Sequence, residues 1–135
     1  MTLKARMPRL AAVTVTLLAG AGAWPAMAQD ANLEGAWSGG GRITLSTGNS
    51  ERATCRASFR RQGGSSYGVR AVCATPSARV AQTAEVHRVG ANQFSGRFYN
   101  HEYDVTGTIR LTASGNRMSV SLSGGGGSGN LELRR

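Results

Sequence analysis

Few residues in this 135-residue chain combine a reactive type with a useful spacing. Cys55 and Cys73 are its only cysteines. An even count suits a disulfide made in an oxidising compartment, whereas two cysteines without a nearby histidine pair fall short of a four-ligand zinc site. His87 and His101 stand alone, with no His-x-x-x-His or His-x-Glu spacing, so no metal is implied. The run Asn100-His101-Glu102-Tyr103-Asp104 gathers polar groups, and in an extended chain Glu102 and Asp104 share a face, as a paired-carboxylate acid–base site requires. The plainer reading pairs Asp104 with Arg97 across a hairpin and leaves Glu102 solvated at the turn. A Gly-x-Ser-x-Gly elbow is missing, and the glycine-rich stretch from Ser123 to Gly129 lacks the lysine and following helix of a phosphate loop. The sequence thus points away from an enzyme and implies no cofactor.

The arginines form the one pattern that suggests a site. Arg56, Arg60 and Arg70 fall on one outer face if the segments bearing them pair about a turn centred on Gly64, which sets Arg70 opposite Ser58 and diagonal to the other two. Three guanidinium groups so close repel one another, and a bound anion relieves that repulsion through bidentate hydrogen bonds. Sulfate, phosphate or an anionic envelope polymer is the expected ligand, set against the plain alternative of a solvated basic face. Nucleic acid is not expected, because no aromatic residues alternate with these arginines on that face.

The elements that position these residues are strands. Apolar and polar residues alternate over Ala36–Ser46, Arg52–Arg60, Tyr67–Cys73, Arg79–Val89, Phe94–Phe98, Tyr103–Leu111, Met118–Leu122 and Leu131–Leu133. Only in Arg79–Val89 is the inward face ambiguous. Gly-, Asn-, Ser- and Pro-containing turns separate them, too short for crossover helices, so neighbours should pair antiparallel as a meander. The Gly64-centred turn sets Cys55 against Cys73 on the inner face. A turn at Asn100-His101 sets Phe98 against Tyr103 and Arg97 against Asp104. Pairing Leu111 with Met118 puts Ile109 on Val120, and pairing Leu122 with Leu131 puts Val120 on Leu133. About eight such strands protect their edges best by closing into an up-and-down barrel. Gly39, Gly41, Ala53, Ala57, Ala71, Gly96 and Gly107 on the inner face leave either a cavity or, as expected in so short a chain, walls drawn together over a filled core.

The first 28 residues read as a separate unit. Lys4, Arg6 and Arg9 precede an apolar run of about 15 residues from Leu10 to Trp24, and Ala26-Met27-Ala28 offers a small-x-small cleavage site. The run is shorter than the roughly 20 residues of a permanent span, so a signal peptide over 1–28 and a soluble domain over 29–135 are expected, periplasmic or secreted. Leaving those three cations out of the 16 basic residues gives 13, all arginine, against 7 acids, a net charge of +6. In an exported protein such a charge suits anionic envelope components or a protein partner.

Gly35-Ala36-Trp37, opening the first strand of an eight-strand meander, resembles the Gly-x-Trp signature of the calycin barrels. That resemblance implies a barrel end closed by Trp37 beneath a basic residue of the final strand, here Arg134 or Arg135. Trp37 is the only tryptophan after residue 28, so the tryptophan-lined biotin site of avidins is missing. The chain also resembles small exported bacterial proteins of uncharacterised function, through Trp37-Ser38-Gly39-Gly40-Gly41 and the pair Cys55-Arg56 and Cys73-Ala74. Periplasmic inhibitors of secreted metalloproteases are similar Gly-x-Trp barrels with one disulfide, although these cysteine positions do not obviously match theirs. That likeness implies an inhibitory N-terminal segment, here Gln29 to Leu33. A carrier of a small apolar molecule is the remaining expectation.

Overall fold

A computed structural model describes residues 11–16, 20, 22 and 31–135. The leader and cleavage site expected within 1–28 otherwise lie outside the described residues. Eight strands follow in chain order: β1 (Gly35–Leu45), β2 (Ser50–Arg61), β3 (Ser66–Ala74), β4 (Arg79–Arg88), β5 (Gln93–Asn100), β6 (Val105–Ser114), β7 (Arg117–Gly124) and β8 (Gly127–Arg134). Each pairs antiparallel with the next, and β8 returns to β1, closing an up-and-down barrel. Closure leaves no unpaired sheet edge.

Period-two alternation explains why these segments form strands and which way each faces. In β2, Ala53, Cys55, Ala57 and Phe59 are buried while the residues between them are exposed. The face left ambiguous in β4 is resolved: Val80, Gln82, Ala84 and Val86 point inward. Outward positions carry Arg52, Arg56, Arg70, Arg97 and Arg110 among serines and threonines, a wall suited to water and costly in acyl chains.

Cys55 lies opposite Cys73 and is bonded to it, S–S 2.03 Å, and Ser58 lies opposite Arg70, both as the Gly64-centred turn requires. Three other pairings differ from expectation. Leu111 meets Val120, with Met118 on Ala113, and Val120 meets Leu131, with Met118 on Leu133. Both hairpins are offset by two residues, which preserves every inward face. Between Ser114 and Arg117 the two turn residues are Gly115 and Asn116, and Gly115, with φ 58°, takes the first central position that a type II′ turn reserves for glycine.

The largest departure is between β5 and β6. Phe98 pairs with Gly107 and Arg97 with Thr108, so Tyr103 and Asp104 belong to a turn, not a strand. The Asn100 side chain causes this: Oδ1 accepts bonds from the backbone N–H groups of Glu102 (3.0 Å) and Tyr103 (3.2 Å). Asp104 then adopts φ 50°, a conformation that aspartate tolerates, and the turn ends.

The inward glycines neither hollow nor flatten the whole barrel. A Cβ at Gly39 would stand 1.9 Å from the Glu132 carbonyl oxygen, and one at Gly41 equally near that of Asn130. Here β1 and β8 coil too closely for any side chain, the glycine device by which barrels turn corners. At Gly107 the space is taken by the Phe98 ring, 2.5 Å from where a Cβ would lie.

Candidate functional site

The two ends of the barrel are built differently. At the end where β1 begins, Leu33, Trp37, Tyr67, Phe94 and Met118 are almost wholly buried. Leu33 precedes β1 and plugs this base. Trp37 Nε1 donates to the Leu33 carbonyl (2.8 Å), Tyr67 Oη donates to Asn32 Oδ1 (3.1 Å), and Arg135 donates to the Asn32 carbonyl (2.8 Å). Arg88 reaches the carbonyls of Ala31 and Ala91 and lies over the Phe94 ring, 4.6 Å from its centre. The Arg61 guanidinium, bonded to the Tyr67 hydroxyl, is held more strongly protonated than usual, first through that bond.

The cation over Trp37 is Arg135, 4.4 Å from the ring centre. Arg134 does not stack there: as an outward residue of β8 it pairs with Ser38 and Arg117 and is exposed. Alternation decides this, because Leu133 faces in, Arg134 must face out, and only the residue beyond the strand can turn back over the base.

The opposite end is open. A cavity of roughly 430 Å³ lies inside the strands there, walled by Ile43, Val80, Phe98, Val105 and Leu122, with the disulfide at Cys73 on one side. The expected filled core therefore holds only for the base and waist. The reason is visible in the residues: the bulky aromatics Trp37, Phe59, Tyr67 and Phe94 all point into the lower half. Above Phe98 the inward residues are short or aliphatic, and the glycine-rich 124–127 turn lays no side chain over the mouth.

Apart from Gln82, the polar side chains of the cup stand towards its rim. Gln82 faces in from β4. Glu51, half-buried near the start of β2, accepts a bond at Oε2 from Ser77 Oγ (2.8 Å). Thr75 is occupied by Ala78, and Asn100 by the turn that follows it. Leu45 and Tyr103 stand partly exposed at the lip. None of the 13 arginines after residue 28 lines this cup, and Glu51 is its one charged lining residue.

On the outer wall Arg56, Arg60 and Arg70 share a face but not one hollow. Arg56 and Arg70 border a shallow depression that reaches Arg134, while Arg60 and Arg70 border another with Arg97, Ser58, Thr83 and Tyr99. Glu85 lies within the second, directly opposite Arg97. Asp104 does not pair with Arg97: its Oδ1 accepts from the Tyr99 hydroxyl at 2.9 Å, which raises the Tyr99 pKa above the ordinary tyrosine value. His101 sits edge-on to Tyr99, 4.3 Å between ring centres, and shares a hydrogen bond with Thr83 Oγ1. Among the described residues no group of three or more His, Cys, Asp or Glu gathers as metal ligands, and no helix is long and apolar enough to cross a membrane.

No protein-family model and no curated protein matches the sequence. The fold has clear neighbours among solved structures. A redesigned β-barrel, mFAP1, solved bound to DFHBI, superposes with a TM-score of 0.64 at 9% identity, over 76% of this chain and 94% of that one. A second redesigned barrel, b11L5F_LGL, gives 0.61 at 13%, and a de novo designed fluorescence-activating barrel gives 0.59 at 12%, covering 76% of this chain and 90% and 92% of theirs. At such identities the likeness concerns the fold alone: this chain is a closed β-barrel of the same general build.

Proposed function

We propose that this protein is a non-enzymatic binding barrel that carries a small, largely apolar molecule in the cup above Phe98. The carrying observation is the cavity of roughly 430 Å³, whose surface is mostly apolar and whose size is within the range of about 300–1,000 Å³ typical of ligand sites. A barrel of similar fold, mFAP1, was solved bound to the small molecule DFHBI, which supports the reading by analogy. The signal-like leader supports work outside the cytoplasm, and Arg135 over Trp37 at the closed base supports the calycin likeness. The test is a fluorescence titration with N-phenyl-1-naphthylamine, a neutral probe that brightens in apolar surroundings. Wild type should saturate, and Val80→Trp, which fills the cup from its wall, should not. Equal saturation by both proteins, or none by either, would refute the reading.

A second reading keeps the arginine face as an anion site. It rests on the outer hollow lined by Arg60, Arg70 and Arg97 beside the Ser58 hydroxyl, donors suited to sulfate, phosphate or an acidic glycan once Glu85 is matched by Arg97 opposite it. Arg60→Ala combined with Arg70→Ala should abolish binding of a sulfated glycan in titration calorimetry, and unchanged affinity would remove the idea. Inhibition of a protease by the N-terminal segment is less well supported. Gln29 lies outside the described residues, and Leu33 could engage a partner only by leaving the base it fills.

A further inference from the structure

The geometry points to a ligand class for the cup: an amphipathic cation, with an apolar body among Val80, Val105 and Leu122 and a protonated amine at the mouth beside Glu51. This inference rests on the cup reading above and deepens it. Its basis is the distribution of charge. With 13 arginines against 7 acids after residue 28, chance placement favours a cation at any polar position, yet the single charged lining residue is a carboxylate.

Glu51 is held for that task by the strands. It stands two residues before Ala53 and therefore shares the inward face of β2, opposite Ile43 of β1. Ser77, in the loop between β3 and β4, binds Oε2 and fixes the carboxylate at the lip, which leaves Oε1 to accept from a ligand. Two further acids, Glu102 and Asp104, lie in the turn on the same end of the barrel. Arg42, Arg52 and Arg79 belong to this end too, but alternation turns all three outward and exposes them. Their charge is thus screened by water, with a Debye length of about 8–10 Å, while Glu51 acts on the ligand at contact distance and half out of solvent. Deeper in, the Gln82 amide offers both a donor and an acceptor to a polar atom on the ligand body.

Displacement of N-phenyl-1-naphthylamine by decylammonium, decanol and decanoate at neutral pH tests this, because the three share one chain and differ only in the head. Wild type should hold decylammonium about tenfold more tightly than decanol, and decanoate more weakly than either. Glu51→Gln should abolish the preference for the amine and leave decanol affinity unchanged, which also shows that the variant is folded. Equal affinity for amine and alcohol in wild type, or a preference that survives Glu51→Gln, would overturn the assignment of Glu51 while the cup reading stands. Failure of decanol itself to displace the probe would overturn the cup reading, and this inference with it.

Discussion

Replacing Leu33 with alanine separates the stability of the barrel from its cup. Leu33 is fully buried at the base, next to Trp37 and far along the strands from Val80 and Leu122. Removing three carbons from a dry site costs about 0.8 kcal/mol each in transfer free energy. The space left behind adds to this, since Leu→Ala changes in packed cores cost roughly 2–5 kcal/mol in all. Relaxation here is restricted, because the Leu33 carbonyl is held by Trp37 Nε1 and the preceding carbonyl by Arg135. We therefore expect a loss of about 3 kcal/mol. With a urea dependence of about 1.5 kcal/mol per molar, the unfolding midpoint should fall by about 2 M. The assay is urea unfolding of residues 29–135 followed by intrinsic fluorescence, where Trp37 is the only tryptophan and sits beside the change. The same variant should bind N-phenyl-1-naphthylamine as wild type does. A midpoint within 0.3 M of wild type (about 0.5 kcal/mol) would refute the plug, and a lost probe affinity would refute the independence of the two ends.

The disulfide closes a loop between residues 18 apart, so replacing Cys55 and Cys73 together with alanine should cost about 3 kcal/mol by the loop-entropy relation and lower the melting temperature by roughly 12–20 °C in a calorimetric scan. Tyr99 should ionise above the ordinary tyrosine value of about 10, because Asp104 accepts its proton bond and repels the phenolate. A raised pKa favours the folded state fully below the unfolded value and loses that contribution as pH rises through the folded one, so ultraviolet titration should show a late component that Asp104→Asn shifts to lower pH. Gly39→Ala should abolish folding or open the β1–β8 seam, seen as lost amide protection on both strands, since its Cβ would stand 1.9 Å from a carbonyl oxygen.

How far the sequence reveals this molecule depends on which physical rule governs each feature. Inward faces were legible because period two is set by strand geometry itself, and even the hairpins offset by two residues kept Ile109, Leu111, Met118, Val120, Leu131 and Leu133 inside. The Cys55–Cys73 bond was legible because the Gly64-centred turn and the face pattern agreed. Turn registers were not, because they depend on local hydrogen bonds such as those of Asn100 Oδ1, which ended a strand the alternation would have carried back to Tyr103. The base plug escaped because Leu33 belongs to no periodic segment, and its burial depends on Arg135 at the far end of the chain. The cup escaped for a subtler reason. Small inward residues suggested uniform closure, but Gly39 and Gly41 admit a neighbouring backbone and Gly107 admits the Phe98 ring, so the space left over gathers above Phe98, at the end that Trp37, Phe59, Tyr67 and Phe94 do not reach.

The most direct test of the cup is a methyl-resolved NMR titration of the protein with N-phenyl-1-naphthylamine. Val80, Val105 and Leu122 should shift and show contacts to the probe, while Leu33, Leu111 and Leu133 at the base should stay fixed. Shifts confined to the outer wall, or spread equally over both ends, would contradict a ligand site inside the barrel.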